Sequence, residues 1–133
     1  MLRSIFAPFA LLALCPVTPS FASEISTHVL DLARGVGGAG IPATLERKDE
    51  DGTWRRIATA QTDANGRIRS FGEGLTTPPG TYRISFDMTR YGDGKAAPFF
   101  PEISVVFRAS DDKAHYHVPV VVSPFGYSSY RGN

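Results

Sequence analysis

From residue 25 onward, apolar and polar side chains alternate in short runs, and no long stretch repeats at helical spacing. Runs rich in β-branched and aromatic residues are separated by Gly, Pro and Asp. The pattern predicts strands at Ile25–Leu32, Ala43–Lys48, Trp54–Ala60, Ile68–Phe71, Thr81–Asp87, Glu102–Arg108, His115–Val122, and a short one near Tyr127–Arg131. One helical turn fits at Met88–Tyr91, before Gly92-Asp93-Gly94. Strands at this spacing, without crossover helices, predict an all-β antiparallel sandwich. There is no internal repeat and no second domain.

The turns are marked by their chemistry. Asp51-Gly52 and Asn65-Gly66 read as tight turns between strands, and Pro78-Pro79-Gly80 breaks the chain before the Tyr82 strand. The loop Gly35-Val36-Gly37-Gly38-Ala39-Gly40 leads into a strand. It therefore reads as a flexible connection, not as a phosphate cradle at a helix N-terminus.

Parity divides the strand residues between faces. Tyr116, Val118, Val120 and Val122 form one apolar face suited to a core, leaving His115, His117, Pro119 and Val121 on the other. In the first strand His28, Leu30 and Leu32 oppose Ile25, Thr27 and Val29, and composition allows either face to be buried. With His28 outside, two strands carry imidazoles beside outward aliphatics, a combination suited to an interface or ligand groove.

The first 22 residues change the compositional picture. Arg3 leads a mostly apolar stretch broken by Pro8 and Pro16, and Ser20-Phe21-Ala22 resembles a cleavage site. Residues 1–22 thus read as a secretory signal, leaving a domain of residues 23–133. The apolar stretch is too short and too broken to span a bilayer comfortably. Bulky Leu14 argues against a lipid anchor on Cys15. Cleavage removes Arg3 and the chain's single cysteine, so 14 basic residues become 13 against 13 acidic. A mature chain with no net charge gives no sign of a nucleic-acid partner, and one without cysteine has no thiol or disulfide chemistry.

The candidate chemistry is sparse. No nucleophile-elbow or Ser-His-Asp pattern supports acyl-enzyme catalysis, and no carboxylate pair stands out for glycoside hydrolysis. His115-x-His117 with His28 supplies three nitrogens, the ligand count of a catalytic zinc site, but no carboxylate on that strand orients them. Arg67 and Arg69 flank the Asn65-Gly66 turn, and Trp54 reads as a packing residue. The ending Tyr130-Arg131-Gly132-Asn133, an aromatic and a guanidinium beside a glycine, reads as a tail that docks.

Several segments together resemble the 5-hydroxyisourate hydrolases, the transthyretin-related enzymes of purine catabolism. They are Ser26-Thr27-His28-Val29-Leu30-Asp31, Thr62-Asp63-Ala64-Asn65-Gly66-Arg67-Ile68, Gly80-Thr81-Tyr82, Phe99-Phe100-Pro101-Glu102, His115-Tyr116-His117-Val118-Pro119, and the run from Ser123 to Gly132. The resemblance covers nearly all of the chain from Ile25 and keeps the family's order.

The resemblance implies a transthyretin-like sandwich of two four-stranded sheets with one short helix. It implies a homotetramer whose outward sheet faces line a channel. It also implies hydrolysis of 5-hydroxyisourate to 2-oxo-4-hydroxy-4-carboxy-5-ureidoimidazoline, with no cofactor and no metal. The family's catalytic positions fall on His28, Arg67 and His117. Substrate contacts fall on His28, Arg67 and Tyr130, with Arg131, Gly132 and Asn133 as further tail contributors. The family usually ends in serine, and Asn133 departs from that. A signal peptide places the protein outside the cytoplasm, in a bacterial periplasm, with no membrane attachment after cleavage. The alternative is a non-enzymatic small-molecule binding protein on the same fold.

Overall fold

The computed structural model describes residues 24–111 and 114–133. The leader expected over residues 1–22 lies outside the described residues. Nine strands are present: β1 (Ile25–Asp31), β2 (Val36–Gly37), β3 (Pro42–Lys48), β4 (Trp54–Gln61), β5 (Arg67–Ile68), β6 (Gly80–Asp87), β7 (Glu102–Ala109), β8 (Tyr116–Ser123) and β9 (Gly126–Ser129).

They form two sheets. One has the order β2-β1-β8-β9, with β5 also on β1, and the other has the order β4-β3-β6-β7. Pairing is antiparallel except between β1 and β8, which run parallel from Ile25–Tyr116 to Asp31–Val122. The expected sandwich is therefore present. The expected helical turn at Met88–Tyr91 is instead a reverse turn, in which Tyr91 N–H donates to the Met88 carbonyl at 3.0 Å. The predicted strand at Ile68–Phe71 shrinks to the Arg67–Ile68 pair.

The inner faces close on one core. Ile25, Val29, Leu45, Tyr82, Ile84, Phe86, Ile103, Val118, Val120 and Val122 are buried there, in the period-two pattern that a half-buried sheet demands. Burial settles the ambiguous first strand. Val29 is 0% exposed and Thr27 1%, so the odd positions of β1 face inward and His28 and Leu30 face outward. Trp54 lies half-buried with the Arg83 guanidinium 4.4 Å above its ring, which supports the packing role.

The glycine-rich loop is not a loose connection. It contains β2, pairing Leu30 with Gly37 and Asp31 with Val36. A Cβ on Gly37 would stand 1.9 Å from the Asn65 carbonyl oxygen, so only glycine admits this approach. Gly66 turns with φ +80° and hands its carbonyl to Val29 N–H at 2.8 Å, while Gly38 N–H donates to the Val29 carbonyl at 2.9 Å. Two glycine-marked segments, distant in sequence, thus clamp the Asn65-Gly66 turn against β1.

Candidate active site

The clamp sets the position of Arg67. Asp63 builds the turn by accepting from Asn65 N–H and Arg67 N–H on Oδ1, both at 2.9 Å. Its own N–H donates to the Arg67 carbonyl at 2.8 Å. The Arg67 backbone bond leads the effects that hold the Asp63 carboxyl below its ordinary value. Leaving the turn, Arg67 pairs directly across from His28, and Ile68 from Thr27. Ile68 is buried and Arg67 exposed, so Arg67 and His28 share the outer face.

His28 is oriented by the same turn. Its Nε2 lies 2.9 Å from the Asn65 carbonyl oxygen, which can only accept. The proton therefore sits on Nε2, and in the neutral ring Nδ1 carries the free lone pair.

His117 comes from the parallel ladder. It stands opposite Ser26, one pleat from the His28–Pro119 pair. Ser26 is 5% exposed, and its Oγ lies 2.7 Å from His117 Nδ1 and 2.8 Å from His115 Nε2. The remaining nitrogen of His117, Nε2, is left for other partners. Burial first, then the positive charges of Arg67, His115 and His28, push the His117 pKa below its ordinary value. A half-buried imidazole kept neutral in this way is a proton acceptor near neutral pH.

The tail completes the face. The β8–β9 ladder runs from Ser123–Gly126 to Val120–Ser129, and the bridge between His117 and Gly132 keeps the same register. Gly132 N–H donates to the His117 carbonyl at 2.8 Å. Tyr130 and Arg131 interrupt the strand for a clear reason. The register sets Tyr130 level with Pro119, which has no N–H to donate, and the Ser129 hydroxyl takes the Pro119 carbonyl at 2.8 Å. Arg131, level with Val118, stacks its guanidinium 5.2 Å from the centre of the Tyr116 ring. Asn133 is exposed.

Two rows of residues thus cross the outer face. Arg67, His28, Pro119 and Tyr130 form one, and Ser26, His117 and Gly132 the next. His28, Arg67 and His117, expected together from the sequence, lie in these adjacent rows of one face. Tyr130 is 53% exposed at the end of its row. Among the described residues no three His, Cys, Asp or Glu side chains are grouped to hold a metal ion.

Two participants in the site were not singled out from the sequence. Ser26 gave no signal of its own, and His115 entered only as a metal candidate. Both are explained by the β1–β8 register, which local patterning does not encode.

A cleft of about 290 Å³ runs past the tail, between Val105–Arg108 and Ser129–Arg131. Another, of about 590 Å³, lies at the far ends of β1 and β8, beside Asp31, Tyr91, Phe99 and Phe125.

Comparison with known proteins places this arrangement. A model of the HIUase/Transthyretin family matches residues 25–132. A 5-hydroxyisourate hydrolase of Salmonella typhimurium is 40% identical over 110 residues, covering 82% of this chain and 80% of the relative. The crystal structure of transthyretin from Sparus aurata superposes with a TM-score of 0.75 at 31% identity, covering 82% of this chain and 96% of that one. A Klebsiella pneumoniae 5-hydroxyisourate hydrolase superposes with a TM-score of 0.69 at 29% identity, covering 84% and 99%.

Proposed function

Because the chain belongs to the HIUase/Transthyretin family, we propose that it is a 5-hydroxyisourate hydrolase, opening a ring amide of that substrate in urate degradation. The observation that carries this reading is the convergence of a neutral imidazole, His117, with Arg67 and His28 on one outward face.

The chemistry needs a base for water and a cation for the developing oxyanion. His117 Nε2 takes a proton from water while the hydroxide adds to the ring carbonyl carbon. The carbonyl electron pair moves onto oxygen, where the Arg67 guanidinium stabilises it. The carbonyl then re-forms, the ring C–N bond breaks, and the leaving nitrogen takes the proton back from His117. His28, held by Asn65 and level with Arg67, hydrogen-bonds the substrate through Nδ1. Tyr130, at the end of the His28 row, closes the substrate's far side.

The active assembly is a homotetramer. Among the described residues β7 and β9 each pair on one side only, leaving free edges on neighbouring flanks. The histidine face carries half-buried Leu30 and Val121 beside its polar groups, a mixture suited to facing a second copy across a shared channel. Residues 1–22 act as an export signal, so the mature protein begins at Ser23 and works in a bacterial periplasm. The guanidinium and imidazoles favour a polar, amide-rich substrate over the apolar ligand of a carrier.

A turnover experiment separates enzyme from carrier. Hydroxyisourate generated continuously by urate oxidase is offered in large molar excess, and the ring-opened product is quantified. A hydrolase forms many equivalents of product per chain above the spontaneous rate. A carrier forms none and delays the decay. Sedimentation of the same preparation reads the assembly.

A further inference from the structure

We propose that Glu24, Ser26 and His115 form a relay that sets which nitrogen of His117 carries its proton, and so sets His117 as a base. The kinetic part rests on the hydrolase reading, whereas the tautomer itself does not.

The relay is laid out by strand register. In the parallel β1–β8 ladder Ser26 pairs with His117. Tyr116 N–H donates to the Glu24 carbonyl at 2.8 Å, which extends the ladder and brings Glu24 level with His115. The result is a continuous line. Glu24 Oε2 lies 3.8 Å from His115 Nδ1, His115 Nε2 lies 2.8 Å from Ser26 Oγ, and Ser26 Oγ lies 2.7 Å from His117 Nδ1.

The logic follows from proton counting. A serine hydroxyl has one proton, so Ser26 donates to one imidazole and accepts from the other. If it donates to His115, it accepts from His117 Nδ1–H, and His117 Nε2 keeps its lone pair. If it donates to His117, the His117 proton sits on Nε2, and that nitrogen cannot act as a base. The two rings are coupled through one hydroxyl.

Glu24 selects between the settings. A carboxylate beside His115 Nδ1 favours the proton there, leaving His115 Nε2 as an acceptor. Ser26 then donates to His115 and accepts from His117, which is the basic setting. When His117 Nε2 gains a proton from water, the same bonds disperse the charge. The Nδ1 proton shifts to Ser26 Oγ as the Ser26 proton shifts to His115 Nε2. The cation then lies on the half-exposed His115 beside Glu24.

The other charged groups around His117 are Arg67 and His28. Arg131 in the adjoining tail lies over Tyr116. Glu24, Ser26 and His115 are thus positioning residues, acting on substrate only through His117.

The test reads tautomers directly. Long-range ¹H–¹⁵N correlation spectra of histidine-labelled mature protein are recorded for wild type, Ser26→Ala, Ser26→Thr and Glu24→Gln. Wild type is expected to show His117 protonated on Nδ1 and His28 on Nε2. Ser26→Ala should lose the His117 preference and lower kcat about tenfold to a hundredfold with KM nearly unchanged. Ser26→Thr should restore both, and Glu24→Gln should weaken the preference and shift the acid limb of kcat. Wild-type His117 protonated on Nε2 would overturn the relay, as would Ser26→Ala with unchanged tautomer and kcat. If Ser26→Ala does not fold, the exposed Glu24→Gln decides: an unchanged tautomer and acid limb refute the relay. A wild type with the expected tautomer but no hydrolysis refutes the hydrolase reading alone.

Discussion

Gly132 lies flat against His117: its N–H donates to the His117 carbonyl at 2.8 Å, and a Cβ on Gly132 would come within 2.5 Å of His117 Cδ2. The tail is therefore the wall against which the His117 imidazole rests. Gly132→Ala must displace either the ring or the tail. Since an error of about 1 Å in a reacting group can cost about a hundredfold in rate, turnover is expected to fall at least tenfold with little change in melting temperature. Steady-state kinetics beside a thermal melt checks this.

Gly37→Ala should act through stability. Its new Cβ would overlap the Asn65 carbonyl, the group that orients His28. Overpacking of this kind costs about 1–3 kcal/mol, and a backbone oxygen yields less readily than a side chain. The melting temperature should fall by about 4 °C or more. The surviving folded protein should also turn over more slowly, because the Asn65 turn carries Arg67 as well.

The contrast between these two glycines shows what the sequence disclosed. Local patterning located most strands, because Tyr82, Ile84 and Phe86, or Val118, Val120 and Val122, alternate with outward residues in plain view. It missed β2, because a two-residue strand made of Val36 and Gly37 carries no periodicity and its glycine answers to Asn65 across the fold. The positions His28, Arg67 and His117 were legible through family motifs. The placement of Ser26 and Glu24 beside His115 and His117 was not, because it depends on a parallel register between segments some ninety residues apart in sequence. The reverse turn at Met88–Tyr91 reads as a helix locally, since one turn has the same spacing in either form.

The tail should respond in graded fashion. Deleting Tyr130–Asn133 removes the wall behind His117 and the residue level with Pro119, and should abolish most activity. Tyr130→Ala should mainly raise KM. Asn133→Ser should change turnover only slightly, because Asn133 is exposed beyond the Gly132 bridge. A large gain from Asn133→Ser would assign the chemistry to the terminal side chain instead.

The lowered pKa of His117 fixes the sign of two pH effects. Burial and neighbouring positive charge disfavour the imidazolium in the folded state, so below about pH 6.5 the unfolded chain binds the extra proton more readily. His117 therefore makes no contribution to pH-dependent stability above that pH. Stability falls as the pH drops from there toward its folded pKa. The acid limb of kcat/KM should lie below pH 6.5 for the same reason, and His117→Gln should lessen the acid loss of stability. Denaturant titrations across pH 4.5–7.5, with matching rate profiles, check both.

The central claim is tested most directly by one paired rate. Hydroxyisourate is produced in situ with urate oxidase, and its ultraviolet decay is followed without protein, with wild type, and with His117→Gln. The account predicts a wild-type decay far above the spontaneous rate and a loss of about a hundredfold or more in His117→Gln at unchanged fold. Decay at the spontaneous rate with wild type, or full activity in His117→Gln, would contradict it.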